Sequence, residues 1–203
     1  MKRKKYPTYI LSILAVMLII YTIIFQPSAI GDIIASLVFM ALLYFFDRKY
    51  NLPVEAFIFI VIAILLNPLG VFGLYSKFVF YDIGYDKVIH LFAGFAVAYG
   101  LFHVIPTKDK KSVYALIILI LLGLGVLIEV SEFIGTRYFG IERGGIFAIG
   151  DALPEIRSDL QTYDIYFDFI FNLVGAIIGV IAGILKNNKL PCKQLRKHYK
   201  KYH

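Results

Sequence analysis

The sequence predicts an all-α fold, a polytopic integral membrane helix bundle of about six transmembrane helices. Three observations carry that prediction. Sixty per cent of the 203 residues are hydrophobic and only 17% are charged. Mean hydropathy is +0.77. The apolar residues gather into six runs, each close to the roughly 20 residues that cross a bilayer. A soluble domain is about 45–50% apolar and about 25% charged, so this chain has too little polar surface to cover a water-soluble globule. A soluble enzyme, a disordered tail protein and a disulfide-stapled secreted domain are excluded. The single cysteine, Cys192, allows neither an intrachain disulfide nor a cysteine metal site.

The six segments run at about 7–26, 30–46, 54–73, 85–105, 113–135 and 164–185. The first follows Lys2, Arg3, Lys4 and Lys5. Its apolar run is longer than a signal-peptide core and no A-x-A cleavage site follows, so it reads as a retained helix. The second is short. The third carries Asn67, Pro68 and Gly70, which kink it or end it early. The chain reads as a single transmembrane domain, 1–203. Within it lie a motif-bearing core at 80–183, an outer loop at 136–163 and a basic tail at 186–203.

Alternate connections are basic. The N-terminus, Arg48 and Lys49, Lys108 with Lys110 and Lys111, and the tail together hold sixteen Lys and Arg. The opposite connections hold four: Lys77, Arg137, Arg143 and Arg157. The positive-inside rule then puts both termini in the cytoplasm of a multi-pass cell-membrane protein. The basic tail suits anionic lipid head groups as partners. No nucleic-acid motif accompanies the net charge of +7, and no nucleic-acid partner is expected. The long outer loop, with four glycines between 136 and 163, reads as a re-entrant piece, an interfacial helix, a lid or a plain surface connection.

The chemistry lies in what interrupts the last three segments. Ionisable groups in lipid-spanning helices are costly, so they face a bundle interior or a wet cavity. Asp82, Asp86 and His90 step by four. Glu129 and Glu132 are three apart. Asp164, Asp168 and Asn172 again step by four. Such spacings put neighbours on one helix face. The fourth and sixth segments start outside and the fifth ends there. At 1.5 Å per residue all these groups sit within roughly 12 Å of the outer boundary. We read them as converging on one outward-facing polar site.

Crowded carboxylates in a low-dielectric space need a cation or shared protons. Three outcomes are open. A divalent metal binds, with mixed carboxylate and imidazole ligation suiting Zn, Mn or Fe and oxygen-only ligation suiting Mg or Ca. Protons are shared, as in a relay or in acid–base work. Or Lys87, Arg137 or Arg157 pairs with the acids as structural salt bridges. The leading assignment gives the metal to Asp86, His90, Glu129 and Asp168. Glu132 is then the general base, and Asp168 and Asn172 complete the catalytic set. The substrate would be lipid-linked or part of the envelope. The alternatives are an ion- or proton-coupled carrier, and a structural or partner-binding membrane protein.

Simpler roles account for other polar residues. Asp32 reads as an N-cap, His103 as interfacial, and Glu55 as an acid on its helix dipole. Gly175, Gly179 and Gly183, with Gly94 and Ala98, read as close-packing positions between helices.

The strings YDKVIHLFAGF, IEVSEF and YDIYFDFIFNLVGAIIGV resemble the YjdF-like family of membrane proteins. The family pattern falls on Asp86, His90 and Gly94, on Glu129 and Glu132, and on Asp164 and Asp168. The run Asp168, Asn172, Gly175, Gly179 also resembles VanZ-like proteins. The resemblance covers roughly 80–183 and implies a multi-helix membrane protein with a polar site. It implies no particular activity.

Overall fold

The computed structural model describes residues 6–25, 30–70, 74, 78–80, 83–105, 110–139 and 158–189. Six helices follow the six apolar runs: α1 (Tyr6–Phe25), α2 (Ile30–Tyr50), α3 (Val54–Leu69), α4 (Tyr85–Val104), α5 (Lys110–Phe139) and α6 (Ser158–Lys189). Among the described residues, three stretches are long and apolar enough to cross a membrane: Tyr85–Val104, Ser112–Val130 and Ile165–Lys186. Tyr9–Tyr21 and Val54–Leu69 are shorter apolar stretches. At about 1.5 Å per residue, α5 and α6 extend some 45 Å, well beyond a hydrocarbon core of about 30 Å.

Two departures from the expected segments have local causes. A small antiparallel pair, β1 (Phe78–Phe80) and β2 (Ile83–Gly84), precedes α4. Helix α4 therefore begins at Tyr85, and Asp82 falls before it, outside the described residues. The third segment stops at Leu69 with Pro68 inside its last turn, and the Gly70 N–H reaches the carbonyls of Asn67 and Leu66. Its start is just as sharp. Pro53 stands at the N-cap in extended geometry, where a missing N–H costs nothing. The expected outer loop shrinks from both sides, because α5 runs to Phe139 and α6 starts at Ser158. What is left of it, 140–157, lies outside the described residues, as does the tail beyond 189.

The end of α2 shows how one side chain closes a helix. Asn51 has φ of 53°, a left-handed conformation that asparagine tolerates better than most residues. Its N–H bonds Asp47 O at 2.7 Å, and the Leu52 N–H bonds Asp47 Oδ1 at 3.0 Å. This αL cap turns the chain straight into α3.

Packing runs α1 on α2, α2 on α3, α3 on α4, and α4 on α5 and α6, with α5 also on α6. The α4–α6 interface is the most extensive. Its cause is the glycine series. A Cβ at Gly94 would stand 2.6 Å from Asn172 O, and one at Gly175 would stand 2.9 Å from Phe95 N. One at Gly179 would stand 2.9 Å from the Ala98 methyl. The two backbones meet without intervening side chains, the close approach that small residues permit in lipid. Between α3 and α4 the contact is aromatic instead, with the Phe59 ring 5.1 Å from Phe95 and 5.5 Å from Tyr99. The outer surfaces of the helices are apolar, as at Ile13, Phe45, Leu119, Leu127 and Leu185. Such faces match lipid rather than water.

Candidate functional site

Among the described residues, four buried polar or charged groups stand out: Ser36, Lys87, Asp168 and Asn172. Three of them belong to one cluster. It forms where the start of α4, the second half of α5 and the first half of α6 meet.

Helix α4 supplies Asp86, Lys87 and His90. Gly84 precedes them, and a Cβ there would run into the Asp86 carboxylate. Asp86 lies in the first turn of α4, where an acid suits the helix dipole. Lys87 is 7% exposed. Its Nζ donates to Asp86 Oδ2 and, at 2.8 Å, to Asp168 Oδ1. His90 lies one turn on. Its Nε2 is 3.4 Å from the same Asp168 oxygen. Helix α6 supplies Asp168, 5% exposed, and Asn172 one turn later. Asn172 Nδ2 donates to His90 Nδ1 at 2.9 Å. The contact serves either ring tautomer: Nδ1 accepts from the amide as placed, or, with the carboxamide turned, donates to Asn172 Oδ1 and leaves Nε2 free to ligate. Helix α5 supplies Glu129. Ligand atoms of His90, Glu129 and Asp168 all lie within 4.8 Å of one another.

The structure thus brings together Asp86, His90, Glu129, Asp168 and Asn172. Asp86 reaches the group through Lys87. Lys87, one of the three cations the sequence offers as partners for the acids, binds two of them. Its signal was available, since it sits three residues before His90 and shares that helix face. The side chains of Glu132 and Asp164 lie outside the described residues, although their backbones belong to α5 and α6.

Among the described residues, Lys87 pairs with two of the three carboxylates, Asp86 and Asp168. The donor set of one imidazole and two carboxylates is one that suits a borderline divalent metal.

A second polar group lies at the far end of the α4–α6 pair. Glu55 Oε2 on α3 accepts from Lys186 Nζ on α6 at 2.9 Å. The Lys186 ammonium also stands 5.8 Å from the Tyr99 ring centroid. His103 Nδ1 donates to Tyr99 O at 2.8 Å. The helix-dipole role assigned to Glu55 left out Lys186, since 131 residues of sequence hid the pair.

Fold and site together define a class: a polytopic helical membrane protein with an ionisable cluster shared by three helices. A family model described as "Predicted membrane protein (DUF2238)" matches residues 6–189. The chain belongs to that family. Searches of curated proteins and of solved structures returned no match. The VanZ-like resemblance of the last helix finds no support in these comparisons.

Proposed function

We propose that this protein holds a divalent cation between His90, Glu129 and Asp168, on the extracytoplasmic side of the cell membrane, and uses it on a lipid-linked or envelope substrate. The observation that carries this reading is the mutual reach of three ligand atoms from three helices, within 4.8 Å of one another. The His90 Nε2 to Asp168 Oδ1 distance of 3.4 Å supports it further. Two ligands at about 2.0–2.2 Å from a tetrahedral ion are about 3.4 Å apart. The ion would supply Lewis-acid polarisation of a substrate oxygen or an activated water. Lys87 holds Asp86 and Asp168 in place, and Glu132 is the candidate general base. Both termini lie in the cytoplasm on this reading, as the charge bias of the connections requires. The basic tail then meets anionic head groups of the inner leaflet.

The test is metal content. Purified protein in detergent, measured by elemental analysis, is expected to carry about one divalent ion per chain. His90→Ala and Glu129→Ala are expected to lose it. Wild-type protein that takes up no metal at any ratio overturns the proposal.

A second reading, an ion- or proton-coupled carrier, is favoured by the Glu55–Lys186–Tyr99–His103 group at the opposite end of α4 and α6. Proteoliposome uptake separates the two. Flux above background that is lost in Asp168→Asn supports the carrier, and background flux excludes it.

A further inference from the structure

The three ligand candidates come from helices that nothing in their own local sequence holds at the right spacing. Asn172 touches the framework of all three. Its carbonyl oxygen would be 2.6 Å from a Cβ on Gly94 of α4, so that glycine lets the α6 backbone seat directly beneath the His90 face. Its carboxamide nitrogen reaches His90 Nδ1 at 2.9 Å. The same nitrogen would be 3.3 Å from a Cβ on Gly125 of α5, as would Cε1 of Phe169. Gly125 is buried and precedes Glu129 by four residues, on the same face of α5. The approach of α5 to Asn172 therefore sets where the Glu129 carboxylate arrives. A histidine ligand needs a partner on its other ring nitrogen to fix the ring. Asn172 is that partner here, with its carboxamide turned so that Oδ1 accepts from Nδ1–H and Nε2 is free for the cation; it is 9% exposed and flanked by glycines of α4 and α5.

We infer that Asn172 and Gly125 are positioning residues for the site. Asn172 orients the His90 ring so that Nε2 faces Asp168, and Gly125 admits α5 closely enough for Glu129 to join. The inference rests on the cation-site reading for its consequence, and on geometry alone for its structural content. The molecule contains its own control. Gly123 lies on the same helix two residues away, and a Cβ there meets nothing within 4 Å.

The experiment titrates purified protein in detergent with Co²⁺, read by visible absorption. The variants are Asn172→Leu, Gly125→Ala and Gly123→Ala. A second arm records ¹⁵N spectra of the His90 ring without added metal, assigned against His90→Gln. Asn172→Leu is expected to weaken Co²⁺ about 10–100-fold, as loss of a ligand's supporting partner does, and to shift the His90 ring nitrogens. Gly125→Ala is expected to weaken Co²⁺ and alter its spectrum. Gly123→Ala is expected to match wild type in both arms. Gly125→Ala adds no polar group, so it keeps the test decisive if Asn172→Leu does not fold. Wild-type protein without Co²⁺ affinity sinks the cation site, while the ring spectra still decide the positioning role. Gly125→Ala indistinguishable from Gly123→Ala in both arms, or unshifted His90 nitrogens in folded Asn172→Leu, overturns the inference.

Discussion

Lys87 Nζ stands 2.8 Å from Asp168 Oδ1, joining the first turn of α4 to the first half of α6 across 81 residues of sequence. The side chains are 9% and 7% exposed. This is a buried charge pair, and burial decides its energetics. Each ion lost its hydration on folding, so the pair adds little net stability, while either partner alone is costly.

Replacing Lys87 by Met therefore leaves buried Asp168 and partly buried Asp86 without the ammonium that joins them. We expect a loss of about 3–5 kcal/mol, seen as a large fall in thermal unfolding temperature in detergent. The double variant Lys87→Met with Asp168→Asn is expected to recover part of it. A single variant as stable as wild type would show that the pair is not buried as described.

The glycine series separates rigid from yielding neighbours. A Cβ on Gly175 meets backbone atoms of Leu91 and Phe95, which cannot step aside, while one on Gly183 meets only the Phe102 ring. Gly175→Ala is expected to cost about 1–3 kcal/mol by overpacking. Gly183→Ala is expected to cost distinctly less, because a ring can turn. Denaturant unfolding of the two variants side by side checks the order.

The Glu55–Lys186 pair is expected to behave quite differently from the Lys87 pair. Its side chains are 55% and 32% exposed, so solvent screens the attraction. A double-mutant cycle on Glu55→Gln and Lys186→Gln is expected to give a coupling below about 1 kcal/mol. That coupling should shrink further in high salt. A larger, salt-independent value would mean that the pair sits in a drier setting.

Asn51 tests the turn between α2 and α3. Its φ of 53° suits glycine, so Asn51→Gly is expected to leave unfolding nearly unchanged. Asn51→Val is expected to cost about 1–2 kcal/mol, the penalty for a β-branched residue in left-handed geometry. Equal stability of the two would contradict the cap.

Much of the site was legible because helical spacing is a local property. Asp86 and His90, and Asp168 and Asn172, are each four residues apart, and a four-residue step marks one face whatever the helix packs against. The close-packing glycines of α6 were legible for the same reason. Lys87 was harder, since a lysine beside a helix start reads equally as a surface cation. Gly125 carried no readable signal. Gly123 and Gly125 are alike in sequence, and only the arrival of α6 crowds one of them and leaves the other open. The strand pair before α4 leaves no mark in the sequence, because it is five residues of main-chain pairing with too short a run for an alternating pattern.

Hydrophobic content and its spacing determined that this chain forms lipid-compatible helices in six runs, because that depends only on the transfer of side chains out of water. Helical periodicity likewise determined which acids and which imidazole share a face. Which faces meet was decided in three dimensions. The α4 and α6 backbones come together through glycines, Lys87 bridges two acids, and Asn172 seats between α4 and α5. Those contacts join residues far apart in the chain, and their energy depends on burial and distance, which no local pattern encodes.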